Sequence, residues 1–243
     1  MGGPAGKCYN ISSHVLTPHS SPLRTAVFSA EFLSIVLLSL KVSATAVLLS
    51  SALGIPMGTW LGLARHPAAS LVRWCTQVGM ALPPVVVGLA LYLLFSRSGP
   101  LGDWGWLFTP RAMIVAQTIL ALPFVVGITA GAIRSVPDQL PEQLRGLGAS
   151  ARQARRTVVF EARHGLGLAV AAAFGRSLSE VGAVLIVGGN IAGHTRVLTT
   201  AIVLETSQGR FEWALALGGV LLGLAGLANA CIVLFQRGQH GGP

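Results

Sequence analysis

Two ionisable residues of opposite sign, Arg176 and Glu180, stand four apart inside an otherwise apolar run. On a helix that spacing puts them on one face, where they can pair. A charge at mid-membrane costs about 2.5–3.5 kcal/mol on insertion scales, so such residues face an interior or a cavity. Two readings are open: a lining or gate-stabilising pair of a pathway, or an internal ion pair that fixes helix packing. Just beyond the run, Asn190, Thr195, Arg196, Thr199 and Thr200 bring hydrogen-bond donors together. They suit an ordinary polar loop, a surface for a protein partner, or weak ligands for a passing solute. Catalysis is a poor fit. It needs paired carboxylates, a histidine cluster or a nucleophile with a base, and Arg176 with Glu180 make no such set. The histidines are scattered, and Cys8, Cys75 and Cys231 lie too far apart for a metal site or a disulfide framework. ATP chemistry is excluded as well. A phosphate-binding loop ends in Gly-Lys-Ser/Thr, and neither lysine, Lys7 or Lys41, fits.

The elements that carry these residues are membrane helices. Soluble domains run about 25% charged residues. This chain of 243 residues has 10% charged and 52% apolar, with a mean hydropathy of +0.68, which leaves little polar surface for a soluble fold or a nucleic-acid patch. Apolar runs cover about 32–63, 71–95, 112–133, 165–187 and 213–235, each long enough to span a bilayer. Lys41 sits near one end of its run, where a long side chain can snorkel. Pro56, Pro83, Pro84 and Pro123 lie inside runs, which is tolerated where neighbouring helices re-satisfy the freed backbone groups. An all-α bundle of five transmembrane helices is expected over 31–236. Residues 1–30 are expected to be a disordered tail, since they lack the apolar core of a signal peptide, and 237–243 a short tail. Glycines recur every fourth residue at Gly54, Gly58 and Gly62, at Gly127 and Gly131, and at Gly219 and Gly223. Small residues so spaced let helix backbones approach closely.

The net charge of +9 comes with all but two of the 17 cations being Arg. Arg65, Arg73, Arg134, Arg145, Arg152, Arg155, Arg156, Arg163 and Arg237 fall on one side of a five-span path; the short loops opposite hold Arg97, Arg111, Arg196 and Arg210, and the N-terminal tail on that side adds Lys7 and Arg24. The richer side is expected in the cytoplasm, with the N-terminus outside and the C-terminus inside.

The long loop 134–164 is built rather than loose. Pro141 suits a first helical turn and Glu142 the positive helix end. Leu144 and Leu147 then share a face, Gly148 stops the helix, and Ser150 can cap a second one that carries Arg152, Arg155 and Arg156. Such a basic pair could rest on anionic lipid or dock a cytosolic subunit.

The stretch Glu142-Gln143-Leu144-Arg145-Gly146-Leu147-Gly148-Ala149-Ser150 resembles the coupling motif of ABC-importer permeases, with Gly six residues after Glu; Gln143 and Leu144 replace two usual alanines. Further segments look like the tungstate-type permeases: Ser96–Gly102 with Leu107–Pro110, Phe174–Gly182, and Gly188–Ile191 with Thr195–Ile202 and Glu205–Ser207. The resemblance runs from about Glu31 to Phe235 and implies the type I ABC importer permease fold. It implies a homodimeric pore for tungstate, or for molybdate or sulfate, in the cytoplasmic membrane. A separate ATPase dimer, carrying ATP and Mg2+, would grip Glu142, Leu144, Leu147, Gly148, Ala149 and Ser150. An extracytoplasmic binding protein would meet the loop of Thr195, Arg196, Thr199 and Thr200. Arg176, Glu180 and Asn190 would belong to the path or gate. The chain itself would hold no cofactor or metal. A secondary carrier is a weaker reading, since no internal repeat is evident.

Overall fold

A computed structural model describes residues 22–64, 66–137 and 139–237. Its helices are α1 (Pro22–Leu63), α2 (Ala68–Met80), α3 (Pro84–Phe95), α4 (Pro110–Arg134), α5 (Gln139–Gly146), α6 (Ala151–Glu161), α7 (Arg163–Leu178), α8 (Gly182–Gly188), α9 (Leu198–Ser207) and α10 (Phe211–Arg237). A short 3-10 turn, Gly102–Trp104, precedes α4. Residues 1–21, with the predicted tail's greater part, and 238–243 lie outside the described residues, as do Arg65 and Asp138. Helix α1 already begins at Pro22, inside the stretch read as tail.

The central contact is α1 against α4, and the first glycine row makes it. A Cβ at Gly54, Gly58 or Gly62 would come within 2.8, 2.7 and 2.6 Å of Val125, Thr129 and Ile133. Only hydrogen fits there, so the two backbones close to the short distance that dispersion packing in lipid favours. The other rows behave differently. Gly127 lies against Met80 of α2, while Gly131, Gly219 and Gly223 meet nothing within 4 Å. Helix α10 instead turns Leu215, Leu222 and Leu227 outward, as a lipid-facing helix does.

Three helices are long and apolar enough to cross a membrane, over Ala30–Leu63, Pro110–Arg134 and Phe211–Ala230, and two bent helix pairs raise the number to as many as five. One bent pair corrects the expectation of a continuous helix over 71–95. Helices α2 and α3 meet at 95°. Pro83 is extended (φ −65°, ψ 125°) and Pro84 opens α3, because a proline pushes the residue before it out of the helical region and neither residue offers an N–H. Pro56 and Pro123, each alone, stay within the continuous helices α1 and α4. The other bent pair is α6 with α7, at 56°.

The run 165–187 is likewise not one helix. Helix α7 ends at Leu178 and α8 resumes at Gly182. The largest apolar core joins α3, α4 and α8 through Val87, Leu91, Phe95, Met113, Val184 and Val187. Gly88 allows that crossing, since a Cβ there would stand 2.8 Å from the Cα of Ala183. Helix α9 falls where a polar loop was expected, and packs with α1 and α10 through Ile35, Leu198, Ala201 and Leu217.

Candidate functional site

The α5–α6 pair is closed at both ends of its turn by backbone chemistry. The N–H of Ala149 donates to the carbonyl of Leu144 (2.9 Å), and that of Gly148 to Arg145 (3.0 Å). These two bonds satisfy the last carbonyls of α5 and require a left-handed residue between. Gly148 supplies it, at φ +89°. Helix α6 then opens with a capping box. Ser150 Oγ accepts from the N–H of Gln153 (3.3 Å), and Gln153 Oε1 accepts from the N–H of Ser150 (2.7 Å). Two orphan donors are satisfied reciprocally.

Packing then fixes the pair to the bundle. Val158 of α6 is buried with Ile133 of α4 and Ala162, and Leu63 and Leu166 complete that cluster. The opposite side is left open. Leu147 at the turn is 85% exposed, and Glu142, Arg152, Arg155 and Arg156 of the pair are exposed too. Leu144 and Ala149 are half-buried.

In the membrane region, Glu180 sits in the break between α7 and α8 rather than on the helix of Arg176. The two still pair, Arg176 Nη1 donating to Glu180 Oε2 at 3.0 Å. Glu180 is 3% exposed and Arg176 28%. The second oxygen, Oε1, accepts from the N–H of Ala183 (3.1 Å), so the carboxylate also caps α8. The Glu180 carbonyl accepts from Thr199 Oγ1 at 2.9 Å. Gln117 of α4 donates to the Ser177 carbonyl at 2.9 Å. Four helices are thus tied to one break.

The donors beyond α8 face inward. Thr195, Thr199 and Thr200 are buried. Thr195 Oγ1 donates to the Gly188 carbonyl and accepts from the N–H of Ile191. Thr200 Oγ1 accepts from the N–H of Val197 at 3.1 Å. Arg196 pairs with Glu31 of α1 at 3.0 Å. As a group their side chains hold the loop and tie it to α1 and to the α7–α8 break. Short polar side chains near helix ends bond the local backbone, and residue type alone does not say which way they turn. Asn190 follows Gly189 in the left-handed region (φ +51° and +70°), and its Oδ1 is buried without a partner.

Three contributors were missed in the sequence. Glu31 meets Arg196 from far along the chain, and no local pattern signals it. Gln117 is a lone amide in an apolar run. Ser39 Oγ accepts from the N–H of Leu198 at 2.8 Å and so caps α9. A polar residue within a membrane run is the one signal that could have flagged the last two. Beside Arg196, Glu205 and Arg210 form a second pair, Arg210 Nη2 donating to Oε1 at 2.9 Å. The hydrogen bond to Glu205 raises the guanidinium's pKa above its ordinary value, although what burial there is acts the other way.

A helical bundle with a capped two-helix projection and a pinned break in one span describes the membrane component of a transport system. Residues 54–237 match the family described as Binding-protein-dependent transport system inner membrane component, and the chain belongs to that family. It is similar to a probable anion ABC transporter permease protein of Haloferax volcanii, 47% identical over 208 residues, which covers 84% of this chain and 90% of that one. It is also similar to the tungstate uptake system permease protein TupB of Peptoclostridium acidaminophilum, 38% identical over 210 residues, covering 86% and 92%. Among solved structures, the MetNI methionine ABC transporter in an inward-facing conformation shares the fold. Its TM-score is 0.70 at 20% identity, covering 87% of this chain and 97% of that one. The type I ABC importer permease fold expected from the resemblance is therefore the fold found.

Proposed function

We propose that the chain is the membrane-spanning subunit of an ATP-driven importer of tungstate, acting as a homodimer in the cytoplasmic membrane. The observation that carries this reading is the α5–α6 pair: a rigid, doubly capped element with an exposed apolar tip, on a chain without a phosphate-binding loop of its own. Hydrolysis of ATP with Mg2+ then belongs to a separate ATPase dimer. That dimer grips Glu142, Leu144, Leu147, Gly148, Ala149 and Ser150, and a binding protein delivers the anion from the opposite side. The excess of Arg on the side of the pair supports a cytoplasmic position for it, with the N-terminus outside and the C-terminus inside.

Motion passes through packed contacts. The pair is anchored at Ile133 and Ala162, at the ends of α4 and α7, so a displacement of its tip tilts both helices. Their far halves hold the Arg176–Glu180 break. We assign Arg176, Glu180 and Asn190 to the path or its gate. A carboxylate repels an oxyanion, so Glu180 acts by holding the break and by fixing Arg176, whose partly exposed cation is the group that attracts the anion.

Tungstate, molybdate and sulfate are all small tetrahedral dianions, and the names of the relatives favour tungstate. The deciding experiment is uptake into vesicles holding the chain, an ATPase and a binding protein. ATP-dependent tungstate accumulation, resistant to excess sulfate, is expected. Uptake of molybdate or sulfate in preference reassigns the substrate, and uptake without ATP overturns the mechanism.

A further inference from the structure

Between the α5–α6 pair and the ends of α1, α2 and α4 lies a cavity of about 570 Å³. Four cations line it, Arg73 from α2, Arg134 at the end of α4, Arg145 from α5 and Arg155 from α6. Among the described residues only one carboxylate, Glu142, lines it as well. Arg134 spends its Nε on the Ala130 carbonyl (3.2 Å). Arg73, Arg145 and Arg155 are absent from the hydrogen bonds and ion pairs of the described residues. Guanidinium groups drawn from four helices around one open space, with a single carboxylate among the described residues, give that space a positive potential that attracts an anion.

We propose that this cavity binds a tetrahedral oxyanion group, held by the forked donors of these arginines. Its setting points to the phosphate of an anionic phospholipid. Trp60 of α1 and Trp74 of α2 are exposed, at 52% and 61%, and Trp74 is the neighbour of Arg73 in the chain. Exposed indoles beside basic residues at span ends mark the depth of lipid headgroups. Free phosphate or tungstate offers the same chemistry from solution. Glu142 lines this cavity and belongs to the proposed ATPase grip as well, so binding is tested on the chain without ATPase or binding protein.

The full chain, purified in dodecyl maltoside and freed of lipid, tests this. Native mass spectrometry follows binding of phosphatidylglycerol, with phosphatidylcholine as the zwitterionic control, and separately of inorganic phosphate and of tungstate. Phosphatidylglycerol is expected to bind about tenfold better than phosphatidylcholine, and R134Q/R155Q to lose about that factor. E142Q is expected to bind about threefold tighter, because a competing negative charge is gone. A misfolded protein would not show that gain. Binding of free phosphate or tungstate with the same response to the variants also supports the site, with solution as the source. Equal binding of the two lipids with no retention of the free anions overturns the proposal, as does binding that none of the variants alters.

Discussion

Glu180 shows how one side chain can serve two elements. Its carboxylate receives the guanidinium of Arg176 and the N–H of Ala183 in the first turn of α8, while its carbonyl takes a hydroxyl from α9. Glu180→Gln keeps the shape but loses the charge that both donors need. Removing one partner of such a bond costs about 1–3 kcal/mol, so the variant should unfold at lower temperature in detergent and transport less tungstate. The double change R176M/E180M, which leaves no orphan charge, should recover much of the stability but not the transport. Recovery of both would reduce the pair to packing alone. Gly148 is bound by backbone shape rather than by space. A Cβ there meets nothing within 4 Å, yet φ is +89°. Gly148→Ala should therefore cost about 1–2 kcal/mol locally and weaken coupling, and Gly148→Pro should abolish uptake while the protein still reaches the membrane. Normal uptake by the proline variant would remove the coupling role of this turn.

At the scale of elements, the same residue type has opposite consequences in different helices. On α1, the row of Gly54, Gly58 and Gly62 is in contact with α4, and a Cβ at Gly58 would stand 2.7 Å from the Val126 carbonyl. Gly58→Leu must push the helices apart and should leave little folded protein in the membrane. On α10, Gly219 faces open space within the chain, and Gly219→Ala should be tolerated by the isolated subunit. Comparing the melting temperatures of the two purified variants checks the contrast. The caps of the α5–α6 pair belong here as well. Ser150→Ala removes one half of the capping box and should cost about 1 kcal/mol of local stability, seen as faster amide exchange in α6 than in α7.

For the whole molecule, the orientation of the bundle decides whether an ATPase can reach the pair. In a background with the native cysteines replaced by serine, Gln153→Cys should react with a membrane-impermeant maleimide only after lysis. His194→Cys, exposed on the opposite loop, should react in intact cells. The reverse pattern would put the α5–α6 pair on the wrong side of the membrane and end the proposal of ATP-driven import. A second whole-molecule expectation concerns the starts of α1 and α9. Arg196 and Glu31 join them across 165 positions, so a double-mutant cycle on this pair should give a coupling of about 0.5–3 kcal/mol, larger than that of the exposed Arg210 with Glu205.

The helical class, the α1 glycine row and both ends of the α5–α6 turn were legible in the sequence. Each is a local property: hydropathy over one span, spacing over two turns, or a residue type that a cap or a positive φ requires. Three things were decided only by the tertiary structure. The double proline bends a run by 95° while single prolines do not, because a continuous helix depends on neighbours that re-satisfy its backbone. Glu180 leaves the helix of Arg176 yet keeps the pair, because Ala183, Thr199 and Gln117 converge on that break from separate segments. The threonines after α8 turn inward, because their hydroxyls find backbone groups of their own chain to bond. Long-range contacts choose among conformations that local sequence leaves equally open, and in lipid, where each unpaired polar group is costly, that choice settles where every donor and every charge must go.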